Sequence, residues 1–431
     1  MEFKSWLVPL ALAISLPSFA QTGWPEARDA IVLTVDQAVN EAREANPEIR
    51  AAVRRLTLAQ LKISTARSLE DPMFSVRDWS TPITKPWDVN QAQLMFMVQQ
   101  TFPNREKRNM RVQLAGDNVE VASEELETLR QEVGAEVRKT CTAMTRNADA
   151  HKVHERQAGL LKEALEAALA EYTTGKVPQA DVLRAQIALT RLNEHMIELE
   201  QERDSTRAQL NALLGRRPDQ TIEIQGTYAV PPALPSIEEL ERAALEHRPE
   251  LAALRKQINA AKDESHLARM ATKPDFTVGL GYMVMPSGST SRNAYMAEFS
   301  MNLPRWNRDR HEGEAKQADA ATEVTQAELE ARRNAVFLEV RQAEIDVLAA
   351  EKRVKLYRDT LLPQADAVFK AGTAAYRNNR AEFANLIESQ NVLLDVETAL
   401  YTAQAAVDAG IARLERATGA PLSAPEKEMS K

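Results

Sequence analysis

Apolar residues recur along this chain with two different periods, one belonging to long helices and the other to strands. Val336, Val340, Ala343, Val347, Ala350, Val354, Tyr357 and Leu361 follow alternating steps of four and three, the seam of a heptad coiled coil. Leu386, Leu393, Leu400, Val407 and Leu414 then repeat every seven residues, with Val396, Ala403 and Gly410 between them. Val182, Ala185, Leu189, Leu192, Met196 and Leu199 carry the same rhythm in the first half. Residues 104–174 and 306–377 contain no proline except Pro363, so each predicts a rod on the order of 100 Å long at about 1.5 Å per residue. Small side chains at many seam positions predict helices packed side by side at short range.

Between the rods the period drops to two. Ala92, Leu94, Phe96 and Val98 share one face while Gln93, Met95, Met97 and Gln99 share the other. Phe276, Val278, Leu280, Tyr282 and Val284 alternate with Thr277, Gly279, Gly281 and Met283 in the same way. Such alternation over about ten residues predicts strands with one face in lipid and the other in a wet lumen. Two hairpins are expected, 72–79 with 91–102 and 274–285 with 293–303. Their loops, Thr81 to Pro86 and Pro286 to Ser289, are polar turn formers expected to face outside.

The whole pattern is written twice. Asn46-Pro47-Glu48-Ile49 through Pro72-Met73-Phe74 recurs about 200 residues later as Arg248-Pro249-Glu250-Leu251 through Pro274-Asp275-Phe276, with identical spacing between the prolines. Phe102-Pro103 answers Leu303-Pro304, Tyr172 answers Tyr376, and Leu214-Gly215 answers Thr418-Gly419. This predicts a first repeat over 21–230 (strands 72–102, helical hairpin 104–214), a proline-rich linker at 231–235, a second repeat over 236–420 (strands 274–303, helical hairpin 306–418) and a flexible tail at 421–431.

Composition narrows the setting. Lys4, an apolar run from Trp6 to Leu16, and small residues Ser18 and Ala20 predict a signal peptide over residues 1–20. No other stretch reaches the roughly 18 apolar residues of a transmembrane helix, so a membrane location requires strands. A net charge of -8 argues against a nucleic-acid partner. The single cysteine, Cys141, excludes an intrachain disulfide, lies far from the leader and is expected to be a buried apolar residue. No phosphate loop, His-Glu-x-x-His motif or cysteine pair is present, so neither an enzyme nor a cofactor is expected. His151 and His154 could ligate a metal, although exposed histidine pairs on long helices are ordinarily solvated.

Four strands cannot close around a pore by themselves, and open edges are not tolerated in lipid. Three identical chains would give about twelve strands and set the helices side by side as a tube. The duplicated halves, the two hairpins and the paired long and short helices together resemble the TolC family of outer-membrane factors over nearly the whole mature chain. The junctions Gln100 to Arg108 and Asn302 to Arg308 resemble those of the heavy-metal branch typified by CzcC and CusC. The resemblance implies a mainly α fold with a membrane β-barrel: a homotrimer with a twelve-stranded barrel in outer-membrane lipid and a helical tunnel in the periplasm. It implies a passive exit duct, docked through a periplasmic adaptor (membrane fusion protein) onto an inner-membrane pump of the resistance-nodulation-division type.

The same resemblance assigns residues. Thr174, Gly175 and Lys176, with Asn378, Asn379 and Arg380, correspond to the periplasmic hairpin tips that meet the adaptor. Tyr376, Asn385 and Glu388 match the positions that constrict the tunnel, with Asp181 as the carboxylate partner of the tyrosine. Seven methionines fall in the expected strands. By parity Met95, Met97, Met283, Met285 and Met296 share the lumen side, where thioethers would suit a soft metal ion or simply fill space. A periplasmic coiled-coil adaptor or scaffold is the competing reading, but such proteins carry one helical hairpin rather than two.

Overall fold

The computed structural model describes residues 31–79, 83–84, 87, 93–226, 228, 233–285, 293–378 and 382–422. The expected leader, most of both outer loops, and the tip residues Asn379 and Arg380 lie outside the described residues. The first half runs β1 (Ile31–Leu33), α1 (Val35–Ala45), α2 (Pro47–Arg67), β2 (Met73–Asp78), β3 (Leu94–Phe102), α3 (Arg105–Thr173) and α4 (Gln179–Leu213). The second runs β4 (Ile222–Ile224), α5 (Ile237–His247), α6 (Pro249–Arg269), β5 (Phe276–Val284), β6 (Asn293–Met301), α7 (Arg308–Leu356), α8 (Leu362–Arg377) and α9 (Phe383–Thr418). Among the described residues no helix is long and apolar enough to cross a membrane.

The duplication is visible down to the caps. Thr34 with Gln37 opens α1, and Ser236 with Glu239 opens α5, each as a reciprocal capping box that satisfies amides the helix itself cannot. Pro47 and Pro249 then start α2 and α6 at a position where the missing N–H costs nothing. Gly215 (φ 67°) and Gly419 (φ 71°) end α4 and α9 in the left-handed region, where a Cβ would stand 2.6 Å from the Ala45 carbonyl oxygen and 2.7 Å from that of His247. Both positions therefore need glycine for conformation and for space.

Each repeat has its own core where its short helices lie on its long hairpin. Ala38, Ala42, Ile49, Val137, Cys141 and Leu210 fill the first, and Leu240, Ala244, Leu251, Val336, Val340 and Leu414 the second. Burial pushes the Cys141 thiol up to about 12, as expected of an apolar packing residue. The heptad seam predicted from Val336 to Ala350 is buried throughout. Opposite it, a Cβ on Gly410 would meet Val347 Cγ2 at 2.8 Å, so α7 and α9 approach as closely as that glycine permits.

The rods differ between repeats. α3 runs 69 residues without a break, whereas its counterpart is interrupted by a π turn at Tyr357–Leu361 before α8 begins. Pro363, which lacks an N–H and crowds the carbonyl four residues back, stands two residues after the turn, and the Leu362 amide between them reaches to Tyr357 O. The repeats also differ at a cap: Asn46 caps α2 by accepting from the amides of Glu48 and Ile49. Arg248 in the same place is buried and ion-paired to Glu250 and Glu339, which Arg332 also binds.

On the seam between α3 and α6, Asp117 faces Asp263. Burial, followed by the hydrogen bond and charge of Asp263, pushes Asp117 up to about 6. Because the folded value lies above the ordinary one, the folded state holds the extra proton, and the seam is firmest in acid and weakens as pH rises through about 6. Asp117→Asn is therefore expected to raise the thermal midpoint at pH 7.5 by about 1–3 °C, and to raise it less at pH 5, where part of the carboxyl's cost has not yet appeared. Circular dichroism melts at the two pH values check this, and equal shifts at both would sink the assignment.

Candidate functional site

The four strands β2-β3-β5-β6 form one antiparallel sheet whose central pair, β3 with β5, joins the two repeats. Period-two alternation sorts its residues. Val76, Phe96, Tyr282 and Tyr295 stand in one row across the sheet, with Phe74, Val98 and Leu280 in the next, and all seven are exposed. Tyr282 and Tyr295 lie 5.7 Å apart and Phe276 and Phe299 5.8 Å apart between ring centroids, so this outward face is a continuous apolar and aromatic surface of the kind lipid covers.

The opposite face carries Arg77, Ser75, Gln99, Glu298 and four of the singled-out methionines, Met95, Met97, Met283 and Met296. Met285 lies one residue beyond the end of β5. Met95 and Met97 are buried. The Met97 side chain lies over Gly279 and Gly281, whose added Cβ atoms would meet its sulfur at 3.4 Å and its methyl at 3.7 Å. The Met283 sulfur accepts from Gln93 Nε2 at 2.8 Å. These thioethers thus fill the space that the two glycines leave open.

Below the sheet the two repeats are tied at one carboxylate. Asp275 accepts from the Asn104 amide at 2.8 Å and from Lys107 Nζ at 3.1 and 3.0 Å. Its own amide donates to Asn302 Oδ1 at 2.7 Å, and Lys273 pairs with Glu106. Burial alone would raise the Asp275 pKa, but the Asn104 amide and the Lys107 ammonium outweigh it and hold the carboxyl below its usual range. The junction motifs quoted from the sequence thus meet in space. The sequence marked them as counterparts but held no sign of the cross-repeat ion pair.

At the far end, α3 closes in a Schellman turn: Lys176 N–H donates to Glu171 O at 3.0 Å and Gly175 N–H to Tyr172 O at 2.9 Å, with Gly175 at φ 75°. Asn378 ends α8. Just above the tips, Ala168 of α3, Val182 and Ala185 of α4, and Phe383 and Leu386 of α9 form a small apolar cluster into which Tyr376 of α8 packs. The Tyr376 ring meets Phe383 edge-on at 5.3 Å. Its hydroxyl is buried without a partner in hydrogen-bonding geometry, and burial, then the charges of Glu171 and Asp181, raise its pKa. Asp181 is buried in the first turn of α4 and binds Arg184 at 3.2 Å.

The structure therefore brings Tyr376 and Asp181 together but leaves Asn385 and Glu388 apart from them, on the exposed side of α9. Glu388 lines a groove between α4 and α9 whose other walls include Arg184, Arg191, His195 and Asp395. Sequence reasoning missed Phe383 and Glu171. Phe383 stands one position off the heptad seam, which steps back from Leu386 to Glu382, so the seam pattern gave no sign of it. His154 also departs from expectation: it is buried rather than solvated, and its neighbour is His195 of α4 rather than His151.

Comparison with known proteins agrees with this architecture. The family model described as outer membrane efflux protein matches twice, over residues 38–216 and 240–420. The cobalt-zinc-cadmium resistance protein CzcC of Cupriavidus metallidurans is 24% identical over 397 residues, spanning 90% of this chain and 92% of that protein. The solved structure of VceC from Vibrio cholerae superposes with a TM-score of 0.75 at 18% identity, covering 90% of this chain and 97% of that one. A structure of CusC gives a TM-score of 0.77 at 14% identity, covering 97% and 99%.

Lys107→Met would leave the Asp275 carboxylate half-buried without its cation. It is expected to cost about 1–3 kcal/mol and to loosen the junction, seen as faster amide hydrogen exchange over residues 104–108. Since the folded Asp275 pKa lies below its ordinary value, the wild-type tie is complete above the ordinary carboxylate range and is lost as pH falls through the folded value. Unchanged exchange in the variant would show that Lys107 contributes nothing to the tie.

Proposed function

This chain belongs to the outer membrane efflux protein family and is an exit duct of the outer membrane; from that premise we propose that three copies complete the channel. One observation carries the proposal: the sheet ends in two edge strands, β2 and β6, while presenting an apolar face to its surroundings. Lipid satisfies no backbone N–H or C=O, so both edges need partners. Two chains would give about eight strands, whose interior side chains fill, whereas three give about twelve and leave a lumen. The same three-fold axis assembles the α3–α4 and α7–α9 hairpins into a tube.

The channel draws its cargo through a periplasmic adaptor and an inner-membrane pump that meet the tips near Thr174, Gly175, Lys176 and Asn378. Divalent heavy-metal cations are the cargo we favour, supported by the likeness to a protein named for cobalt, zinc and cadmium resistance. Deleting the gene and scoring growth across a panel of metals and drugs is expected to sensitise cells to metals; sensitivity to drugs alone would overturn that cargo.

The resting gate is the cluster around Tyr376. The phenol packs on Phe383, and both tip hairpins contribute apolar side chains, so the two hairpins hold one another until the adaptor separates them. Tyr376→Phe combined with Asp181→Ala is expected to raise planar-bilayer conductance several-fold. Conductance equal to wild type would rule the lock out.

Glu388, exposed and one turn from Asn385, forms the selectivity ring when three copies meet. At about 4 Å and an effective dielectric near 20, each unit pair contributes about 4 kcal/mol, so three carboxylates favour a divalent cation strongly, tempered by Arg184 and Arg191 in the neighbouring groove. Glu388→Gln keeps size and helix propensity, and is expected to lower cation preference in reversal-potential measurements. Asn385→Asp acts in the opposite direction and tightens divalent block. If Glu388→Gln leaves both properties untouched, the residue faces away from the lumen.

A further inference from the structure

The wall of the helical hairpins contains a pair of histidines that none of the foregoing uses. His154 of α3 is only 7% exposed, and its Nδ1 lies 2.8 Å from Ala150 O. His195 of α4 places its own Nδ1 3.1 Å from Glu198 Oε2. A carbonyl or carboxylate oxygen can only accept, so in the neutral imidazoles both Nδ1 atoms carry the proton and both Nε2 atoms keep their lone pairs. The rings stand 6.2 Å apart between centroids, at 67°. Both line one cavity of 520 Å³, together with Asp395, Arg353 and Tyr357.

We propose that His154 and His195 form a binding site for one borderline divalent cation, zinc or cobalt, held through their two Nε2 atoms between α3 and α4. Imidazole nitrogens ligate zinc at about 2.0–2.1 Å, which sets two ligating rings roughly 5–6 Å apart, close to the spacing seen. An oxygen acceptor on the second ring nitrogen is the outer-shell arrangement that metal-ligating histidines almost always have, because it fixes the tautomer and raises ligand basicity. Imidazole is also the ligand type suited to this class of metals.

Among the described residues no three His, Cys, Asp or Glu side chains are gathered closely enough to hold a metal. Water therefore completes the shell, with the Asp395 carboxylate supplying charge from the same cavity wall, and the ion exchanges readily. The cavity opens beside the π turn, whose first residue, Tyr357, lines it. By the match of Tyr172 to Tyr376, Gly159 stands in α3 where the second repeat has Pro363, and the unbroken first rod forms no such turn. The site thus belongs to an asymmetry between the repeats, and it does not depend on which cargo the duct carries.

The test uses the full-length protein in detergent, without a histidine tag and stripped with a chelator. Titration calorimetry with zinc chloride is expected to show one ion per chain, and zinc should raise the thermal midpoint by mass action on the folded state. His195→Ala changes a side chain that is 57% exposed, so folding survives; it is expected to weaken zinc binding at least about tenfold and to abolish the thermal shift. His154→Gln should do the same, while His151→Ala should change neither. Failure of the wild-type protein to bind zinc, or wild-type affinity in His195→Ala, overturns the site and leaves the channel reading standing.

Discussion

Nine consecutive residue pairs, from Leu94 opposite Val284 to Phe102 opposite Phe276, join the first repeat's hairpin to the second's. A two-stranded hairpin is marginal by itself, so neither repeat could hold its strands without this ladder. The Asp275 tie lies directly beneath it and connects the start of α3 to the entrance of β5 and the exit of β6. The position of each long hairpin follows from these two features, because α3 and α7 begin only a few residues below the strands they continue.

From that junction downward the wall is built from close contact rather than from a thick core. Alanine, valine and leucine dominate the buried seams, and at Gly410 the α7 and α9 backbones come as near as a missing side chain allows. Such a wall buries little apolar surface per residue, and ion pairs such as Arg416 with Glu132 and Arg156 with Glu397 link the two halves along its surface. A thin wall of parallel rods suits a conduit, whose function is to enclose space rather than to fill it.

The two repeats differ at particular points. Pro363 opens a π turn in one rod and Gly159 leaves the other straight; Asn46 caps one helix and Arg248 forms an ion-pair network at the other. Internal duplication supplies two walls of matching length, and these local changes set the second repeat apart from the first.

Much of this was legible in the chain itself. Heptad spacing identified the seams around Val340 and Leu400, because the positions that meet another helix must recur at the helical period. Alternation identified the faces of β3 and β5, because a strand's side chains point to opposite sides whatever else surrounds them. The repeated Pro47 and Pro249 showed the duplication. The helices α1, α2, α5 and α6 went unread although their capping boxes and first-turn prolines stand in the sequence, while the parallel pair β1–β4, three residues a strand, is too short to show a period. The sequence could not place Asp275 against Lys107, Tyr376 against Phe383, or His154 against His195. Each pair is separated by a turn or by most of a repeat, and only the packing of rods about 100 Å long, with the register set by the β3–β5 ladder, decides which side chains come to the same height.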